Sequence, residues 1–216
     1  MQPNLAQVLN TLAHEIRTPL AVSQGYLKLF LDGRLTNAED TRRAMEQTRQ
    51  ALGTLATLCV DMGKVSSLSE SAASGIPERV STADFIAALR GQADIKRATW
   101  SGEGGAGMIA TSNSSDLAQA VAVVSKTAFD EARDEAHAIR ADVGADLVVV
   151  AGVDQALPAL QAGPDAPAAR AVDFGKGGKG LKLIWAAFVL DRHGVQTWTL
   201  ENQKASVGFR IPLVQA

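Results

Sequence analysis

Two long amphipathic stretches near the N-terminus restrict the possible fold more than any other feature. From about residue 3 to 32, apolar residues recur at spacings of three and four, as on one face of a helix. From about 38 to 68, two rows of residues are spaced seven apart, which is typical of a helix packed along a seam. The rows are Met45, Leu52 and Cys59, and Thr48, Leu55 and Met62.

The residues between the two stretches predict a short turn. Gly33 is expected to end the first helix, and either Thr36 or Asn37 can cap the second, with Glu39 completing a capping box if Thr36 leads. Two long helices joined this way form an antiparallel hairpin. We expect two copies to pair as a four-helix bundle. Cys59 falls on an apolar helical stripe and is expected to be a small buried core residue. The alternative is that the hairpin packs on the C-terminal part of its own chain.

A heptapeptide inside the first helix carries the chemistry. It reads His14, Glu15, Ile16, Arg17, Thr18, Pro19, Leu20. The imidazole of His14 can act as a nucleophile, and the adjacent Glu15 can orient it or take its proton. Thr18 lies one turn further on the same face, where its hydroxyl can position a water. Pro19 would cost a helix interior about 3 kcal/mol, so its presence calls for a reason.

These seven residues resemble the H-box of two-component histidine kinases. The resemblance implies that His14 is the phosphoacceptor, that Glu15 is its acid or base, and that Thr18 supports dephosphorylation of a partner. It also implies that a kink at Pro19 helps to expose His14. Because the motif begins at residue 14, we expect the input signal to arrive through a partner or from a segment outside this chain.

The remaining chain predicts a second domain of mixed helices and strands. We divide the chain into a hairpin at 1–68, a Ser/Ala/Gly/Pro-rich mobile linker at 69–79 and a second domain at 80–216. An α+β layer with a mainly antiparallel sheet is expected there. Its predicted helices are 81–90, 116–132 and 180–193, and its predicted strands are near Trp100 and at 108–111, 136–143, 147–153, 195–200 and 205–213. Residues 158–170 are predicted to be a mobile loop.

A glycine-rich box near the end of the chain favours phosphate binding. Glycines let the backbone approach a ligand, and the N–H groups that start the following helix attract an anion. The box resembles the G-x-G-L-G-L box of the histidine-kinase ATP-binding domain, which implies an α/β sandwich of the GHKL ATPase type that binds ATP. The residues concerned are Lys176, Gly178, Lys179, Gly180 and Leu181. The alternative is a solvated loop rich in glycine and lysine.

Other positions depart from the same family. Thr127 stands where the family has an asparagine that holds Mg²⁺, and the next acids, Asp130 and Glu131, are the candidates to replace it. Asp154 stands where an aspartate contacts adenine, but the two glycines of that box are missing. Asp154 can equally be a turn former.

Composition narrows the class of protein. A net charge of −2 implies no general nucleic-acid partner, and no apolar run approaches the roughly 20 residues of a membrane span. The single cysteine and the lack of a signal peptide favour the cytoplasm.

The sequence therefore predicts an atypical, homodimeric histidine kinase. It would autophosphorylate His14 from ATP with Mg²⁺ and pass the phosphoryl group to an aspartate of a response-regulator receiver domain. The alternative is a dimeric histidine phosphotransferase whose C-terminal domain is vestigial and binds no ATP. A scaffold without catalysis would leave the H-box without a purpose.

Overall fold

The computed structural model describes residues 5–70, 77–102, 105–132, 135–172, 174, 180–201 and 203–215. Its helices are α1 (Leu5–Leu31), α2 (Ala38–Glu70), α3 (Thr82–Arg90), α4 (Ser114–Phe129), α5 (Leu157–Gln161) and α6 (Leu181–Arg192). Its strands are β1 (Glu78–Ser81), β2 (Thr99–Ser101), β3 (Met108–Thr111), β4 (His137–Val143), β5 (Asp146–Val153), β6 (Ala169–Ala171), β7 (Gln196–Leu200) and β8 (Gln203–Pro212). Over these ranges, no helix is both long and apolar enough to cross a membrane.

The N-terminal hairpin forms as predicted. Gly33 adopts a φ of 64° where α1 ends, a conformation that favours glycine. The side-chain oxygen of Asn37 accepts a hydrogen bond from the Asp40 N–H at 2.7 Å. Asn37 is therefore the cap of α2, which decides between the two candidates that the sequence left open.

Two alanines and a leucine form the buried row of α2. Ala44, Ala51 and Leu58, spaced seven apart, are buried in the hairpin. The predicted row of Met45, Leu52 and Cys59 lies one residue further around the helix and is exposed. The expectation that Cys59 is buried is therefore wrong for the single chain, since one residue rotates a helix by about 100°.

The second domain is built on a six-stranded sheet with the order β2-β4-β5-β8-β7-β6. All neighbouring strands are antiparallel except β2 and β4, as the mainly antiparallel prediction requires. A separate ribbon pairs β1 with β3. The fold class is α+β, as expected, with α3, α4 and α6 on one face of the six-stranded sheet.

Alternate residues of β5 supply two separate cores. Val149 and Ala151 belong to the main core, where they pack with α3, α4 and α6. Val150 belongs to a second cluster on the opposite face, together with Leu157 and Leu160 of α5. Since successive strand residues point to opposite faces, the sheet is covered on both sides.

The expected mobile loop at 158–170 instead begins in α5 and ends in β6, with turns between them. Leu157 and Leu160 are fully buried, and the Trp198 indole N–H donates to the Leu160 carbonyl at 3.1 Å. At the end of α5, the Gln161 amide accepts from Arg140 at 2.8 Å and donates to Asp142. The prediction failed because Ala, Pro and Gly content concealed two leucines at helical spacing. Most of the predicted linker, 71–76, lies outside the described residues.

The hairpin also packs on its own chain through α6. Leu58 of α2 forms a small apolar cluster with Leu181 and Ile184 of α6, and we call these three residues the docking cluster. Nearby, the Lys64 ammonium lies 5.8 Å from the centre of the Trp185 ring. The alternative of packing within the chain is thus observed. A second set of large apolar residues remains exposed: Leu9, Leu20, Val22, Leu27, Phe30, Leu31, Met45, Leu52, Val60 and Met62.

Replacing Gly208 tests the second core. A Cβ atom at this position would overlap the ring of Trp198, which is 1% exposed and cannot move away. We expect Gly208→Ala to lower the free energy of unfolding by about 1–3 kcal/mol, as overpacked cores do. Gly144→Ala is the matched control, since nothing lies within 4 Å of its new Cβ atom. Equal urea midpoints for the two variants would contradict this packing.

Candidate functional site

The phosphoacceptor candidate is accessible on α1. His14 and Thr18 are exposed and lie one turn apart, while Glu15 is half-buried. Pro19 lies inside the helix and has no N–H, so α1 lacks the hydrogen bond that would otherwise reach the Glu15 carbonyl. Because His14 is exposed, its imidazole is accessible from solvent.

The H-box meets the end of the glycine-rich box. The Leu181 N–H donates to the Glu15 carboxylate at 3.3 Å. Gly180, with a φ of 91°, lies so close that a Cβ atom there would be 2.9 Å from the other Glu15 oxygen. Two groups of candidate residues that the sequence predicted separately thus lie together. Lys176, Gly178 and Lys179 fall outside the described residues and stay predictions.

His193 fixes the direction of α6 against α4. Its Nδ1–H donates to the Val189 carbonyl at 2.7 Å, and its Nε2 accepts from the Ser112 N–H at 3.3 Å. Nε2 also lies 2.9 Å from the Thr111 hydroxyl. Since Thr111 and Ser112 directly precede α4, the two packed helices run antiparallel, and the start of α6 lies toward the C-terminal end of α4.

Two of the proposed metal ligands at the C-terminal end of α4, Thr127 and Asp130, make hydrogen bonds within this part of the chain. The Thr127 hydroxyl donates to the Val123 carbonyl of its own helix at 3.0 Å. Both oxygens of Asp130 accept from the Lys126 ammonium, at 3.0 and 2.8 Å, and Glu131 is exposed. Within the described ranges, no three His, Cys, Asp or Glu side chains are grouped to hold a metal. Since Mg²⁺ carried by a nucleotide usually needs only one or two protein carboxylates, Asp130 and Glu131 stay predictions.

Asp154 directly follows β5 and is exposed. The chain then turns into α5, on the face of the sheet opposite α4 and α6. Residues 155–161 therefore do not cover the end of α4 where Thr127 and Asp130 lie.

Comparison with known proteins agrees with the geometry of the hairpin. A family model described as "His Kinase A (phospho-acceptor) domain" matches residues 4–69. The hairpin is thus similar in sequence to the phospho-acceptor domain of histidine kinases. His14 is its exposed histidine within the H-box motif.

The whole chain is similar in fold to two solved histidine kinases. It is similar to the Acinetobacter baumannii histidine kinase AdeS, at 14% identity and a TM-score of 0.55, covering 94% of this chain and 98% of that one. It is also similar to full-length ShkA solved with AMPPNP, at 18% identity and a TM-score of 0.54. All of this chain is covered there, but only 47% of ShkA. No curated protein sequence matches the chain.

The sequence patterns did not identify Leu181 and Ile184 as the residues of α6 on which the hairpin docks. The signal was present, because α6 is apolar on nearly every side, with Leu181 and Ile184 on one face and Leu183 and Leu190 on another. A helix that is apolar all round must be covered all round. The hairpin supplies the missing cover.

His193 makes the stability of the second domain depend on pH. Burial lowers the pKa of His193, while its hydrogen bond to the Val189 carbonyl works in the opposite direction. In the unfolded chain this histidine has a pKa of about 6.5, so as the pH falls it takes up a proton before the folded chain does. We expect the contribution of His193 to the free energy of unfolding to be fully present above about pH 6.5 and to decrease as the pH falls below it. Urea unfolding of wild type and His193→Asn at pH 7.5 and 5.5 measures this, and an unchanged pH dependence in the variant would refute the assignment.

Proposed function

We propose that this chain is a histidine kinase that transfers the γ-phosphoryl group of ATP to His14. The observation that carries the proposal is the contact between Glu15 and the Leu181 N–H. It brings the glycine-rich end of α6 to the residue beside the phosphoacceptor. A triphosphate held at this turn, with the positive charge predicted from Lys176 and Lys179, would replace the Glu15 carboxylate at the Leu181 N–H and so lie beside the H-box.

The chemistry at His14 needs few groups. One ring nitrogen attacks the γ-phosphorus, an N–P bond forms, the P–O bond to ADP breaks, and ADP leaves. The other ring nitrogen then holds a proton that the Glu15 carboxylate can stabilise or accept. Mg²⁺, if the nucleotide carries it, would neutralise phosphate charge, and no step here depends on it.

The phosphoryl group then passes to an aspartate of a response-regulator receiver domain. The exposed face around His14 and Thr18 supports access for such a partner. With a phosphorylated partner bound, the Thr18 hydroxyl can position the water that removes the phosphoryl group. The cytoplasm, where receiver domains would meet this chain, remains the proposed location.

A second candidate is a dimeric histidine phosphotransferase. It is favoured by the position of α5, which takes the chain after Asp154 to the far face of the sheet. It is also favoured by the pairing of Asp130 with Lys126. In this alternative the C-terminal domain binds no ATP, and His14 receives its phosphoryl group from a phosphorylated receiver domain.

Labelling separates the two candidates. Wild type incubated with γ-labelled ATP and Mg²⁺ should gain acid-labile label, because an N–P bond is hydrolysed in acid. His14→Ala should gain none. Arg34→Ala, an exposed change at the far end of the hairpin, is the control for nonspecific effects. Label from a phosphorylated receiver but not from ATP would instead establish the phosphotransferase, and label by neither route would refute both.

We further propose that two copies pair through the hairpin. Met45 and Leu52 lie on one exposed row, 57% and 54% exposed, and a four-helix bundle would cover them. Placing a charge there should be costly only in a dimer. We expect Leu52→Lys to halve the mass measured by light scattering at micromolar concentration, while Thr57→Lys, an exposed position on the same helix, leaves it unchanged. A wild type that already has the monomer mass would refute the pairing.

A further inference from the structure

The candidate nucleotide site has two ends, which the packing of α4 and α6 locates. The start of α6 lies toward the C-terminal end of α4, where Phe129 stacks on His137 of β4 with ring centres 4.4 Å apart. His137 pairs with Val153, the last residue of β5. A triphosphate at the first turn of α6 would therefore direct its nucleoside along the end of α4 toward Asp154, where the resemblance in sequence places the base. We call these the phosphate end (Gly180, Leu181 and Lys182) and the base end (Thr127, Asp130 and Asp154).

The phosphate end offers groups that attract anions. The Leu181 N–H already holds one anion, the Glu15 carboxylate, at 3.3 Å, as expected for the N-terminal end of a helix. Lys182, in the same first turn, is exposed and carries positive charge. Lys176 and Lys179 are the predicted additions from the glycine-rich box. These groups recognise phosphate oxygens, which every nucleoside triphosphate carries.

The candidate groups at the base end are exposed or already bonded. The Thr127 hydroxyl donates to the Val123 carbonyl. Both oxygens of Asp130 accept from Lys126, and Asp154 is exposed. A site rejects a wrong base strongly when that base leaves a buried polar group unpaired. Exposed groups instead exchange a hydrogen bond with the base for one with water, so each discriminates by about tenfold or less.

The segment after Asp154 is held away from the base end. Leu157 and Leu160 are fully buried on the face of the sheet opposite α4 and α6. The Trp198 indole N–H fixes this position by donating to the Leu160 carbonyl at 3.1 Å. Residues 155–161 therefore supply no apolar cover and no buried polar group for a base.

We propose that the site recognises the triphosphate chain and not the base, so that any nucleoside triphosphate serves as the phosphoryl donor. In the step, a ring nitrogen of His14 attacks the γ-phosphorus, an N–P bond forms, the P–O bond to the nucleoside diphosphate breaks, and the diphosphate leaves. The other ring nitrogen holds its proton, as with ATP. This proposal rests on the proposed function, since it takes the start of α6 as the nucleotide site.

Binding to the full chain tests the proposal without turnover. In the presence of Mg²⁺, titration with ATP, GTP and CTP should shift the amide resonances of Leu181 and Lys182, and the shifts give a dissociation constant for each nucleotide. We expect the three constants to lie within about tenfold of one another. Adenosine, which has the base without the phosphates, should shift neither resonance. A wider preference for ATP, or a saturable shift with adenosine, would overturn the proposal.

Two variants separate the contributions of the two ends. Lys182→Glu should weaken ATP, GTP and CTP by the same factor, because the phosphates are common to all three. Asp154→Asn should leave the ratio of the ATP and GTP constants unchanged, whereas loss of a carboxylate that reads adenine would change it. Lys28→Glu, an exposed change in the last turn of α1, is the control for net charge and should leave every constant unchanged. A changed ratio in Asp154→Asn, or full affinity in Lys182→Glu, would show that the two ends are wrongly assigned.

Transfer distinguishes this proposal from the proposed function. ATP and GTP, each labelled at the γ-phosphorus, should both label His14, at rates within about tenfold of each other. Label from ATP alone would overturn the indifference to the base and leave the kinase intact. If neither nucleotide labels His14, the kinase and this proposal fail together.

Discussion

The packing of α6 against the hairpin is the interaction on which the arrangement of the molecule depends. α6 contributes to two cores at once, because one face packs into the main core beside α4 and the other carries Leu181 and Ile184 into the docking cluster. Burying apolar side chains of this size stabilises by roughly 1.5–3 kcal/mol each. These two residues of one helix therefore contribute to holding the hairpin against the sheet domain, with Glu15 at the point of contact.

The covering of both faces of the sheet has a functional consequence. α5 is fixed on the far face by Leu160 and Trp198, and its end is tied by Gln161 to Arg140 and Asp142. The segment that follows Asp154 is thereby held in place as α5. A nucleotide at the start of α6 would be bound by backbone N–H groups and lysines, with little help from this segment. The kinase alternative requires such a nucleotide site, whereas the phosphotransferase alternative does not.

Local pattern predicted much of the fold. The hairpin followed from helical periodicity with Gly33 and Asn37 between the helices, and the order of strands and helices followed from turn residues and apolar runs. The exposure of Cys59 could not be predicted, because a spacing of seven identifies a row of residues but not which neighbour covers that row. α5 was missed because composition outweighed two leucines.

The candidate site divides in the same way. His14 was predictable because its chemistry is local to seven residues. The meeting of Glu15 with Leu181 was not, because it joins positions 166 residues apart and depends on how two domains pack. Thr127, Asp130 and Asp154 were proposed from the family resemblance, and their hydrogen bonds and surroundings are tertiary features that a resemblance in sequence does not contain.

A nitroxide on the native Cys59 tests the docked arrangement most directly. This is the only cysteine in the chain, it is exposed, and it adjoins Leu58 of the docking cluster. If α6 rests on the hairpin, the amide resonances of the first turn of α6 should broaden strongly, and those of α5, on the far face of the sheet, should broaden much less. Equal and weak broadening of both helices would show that α6 does not rest on the hairpin.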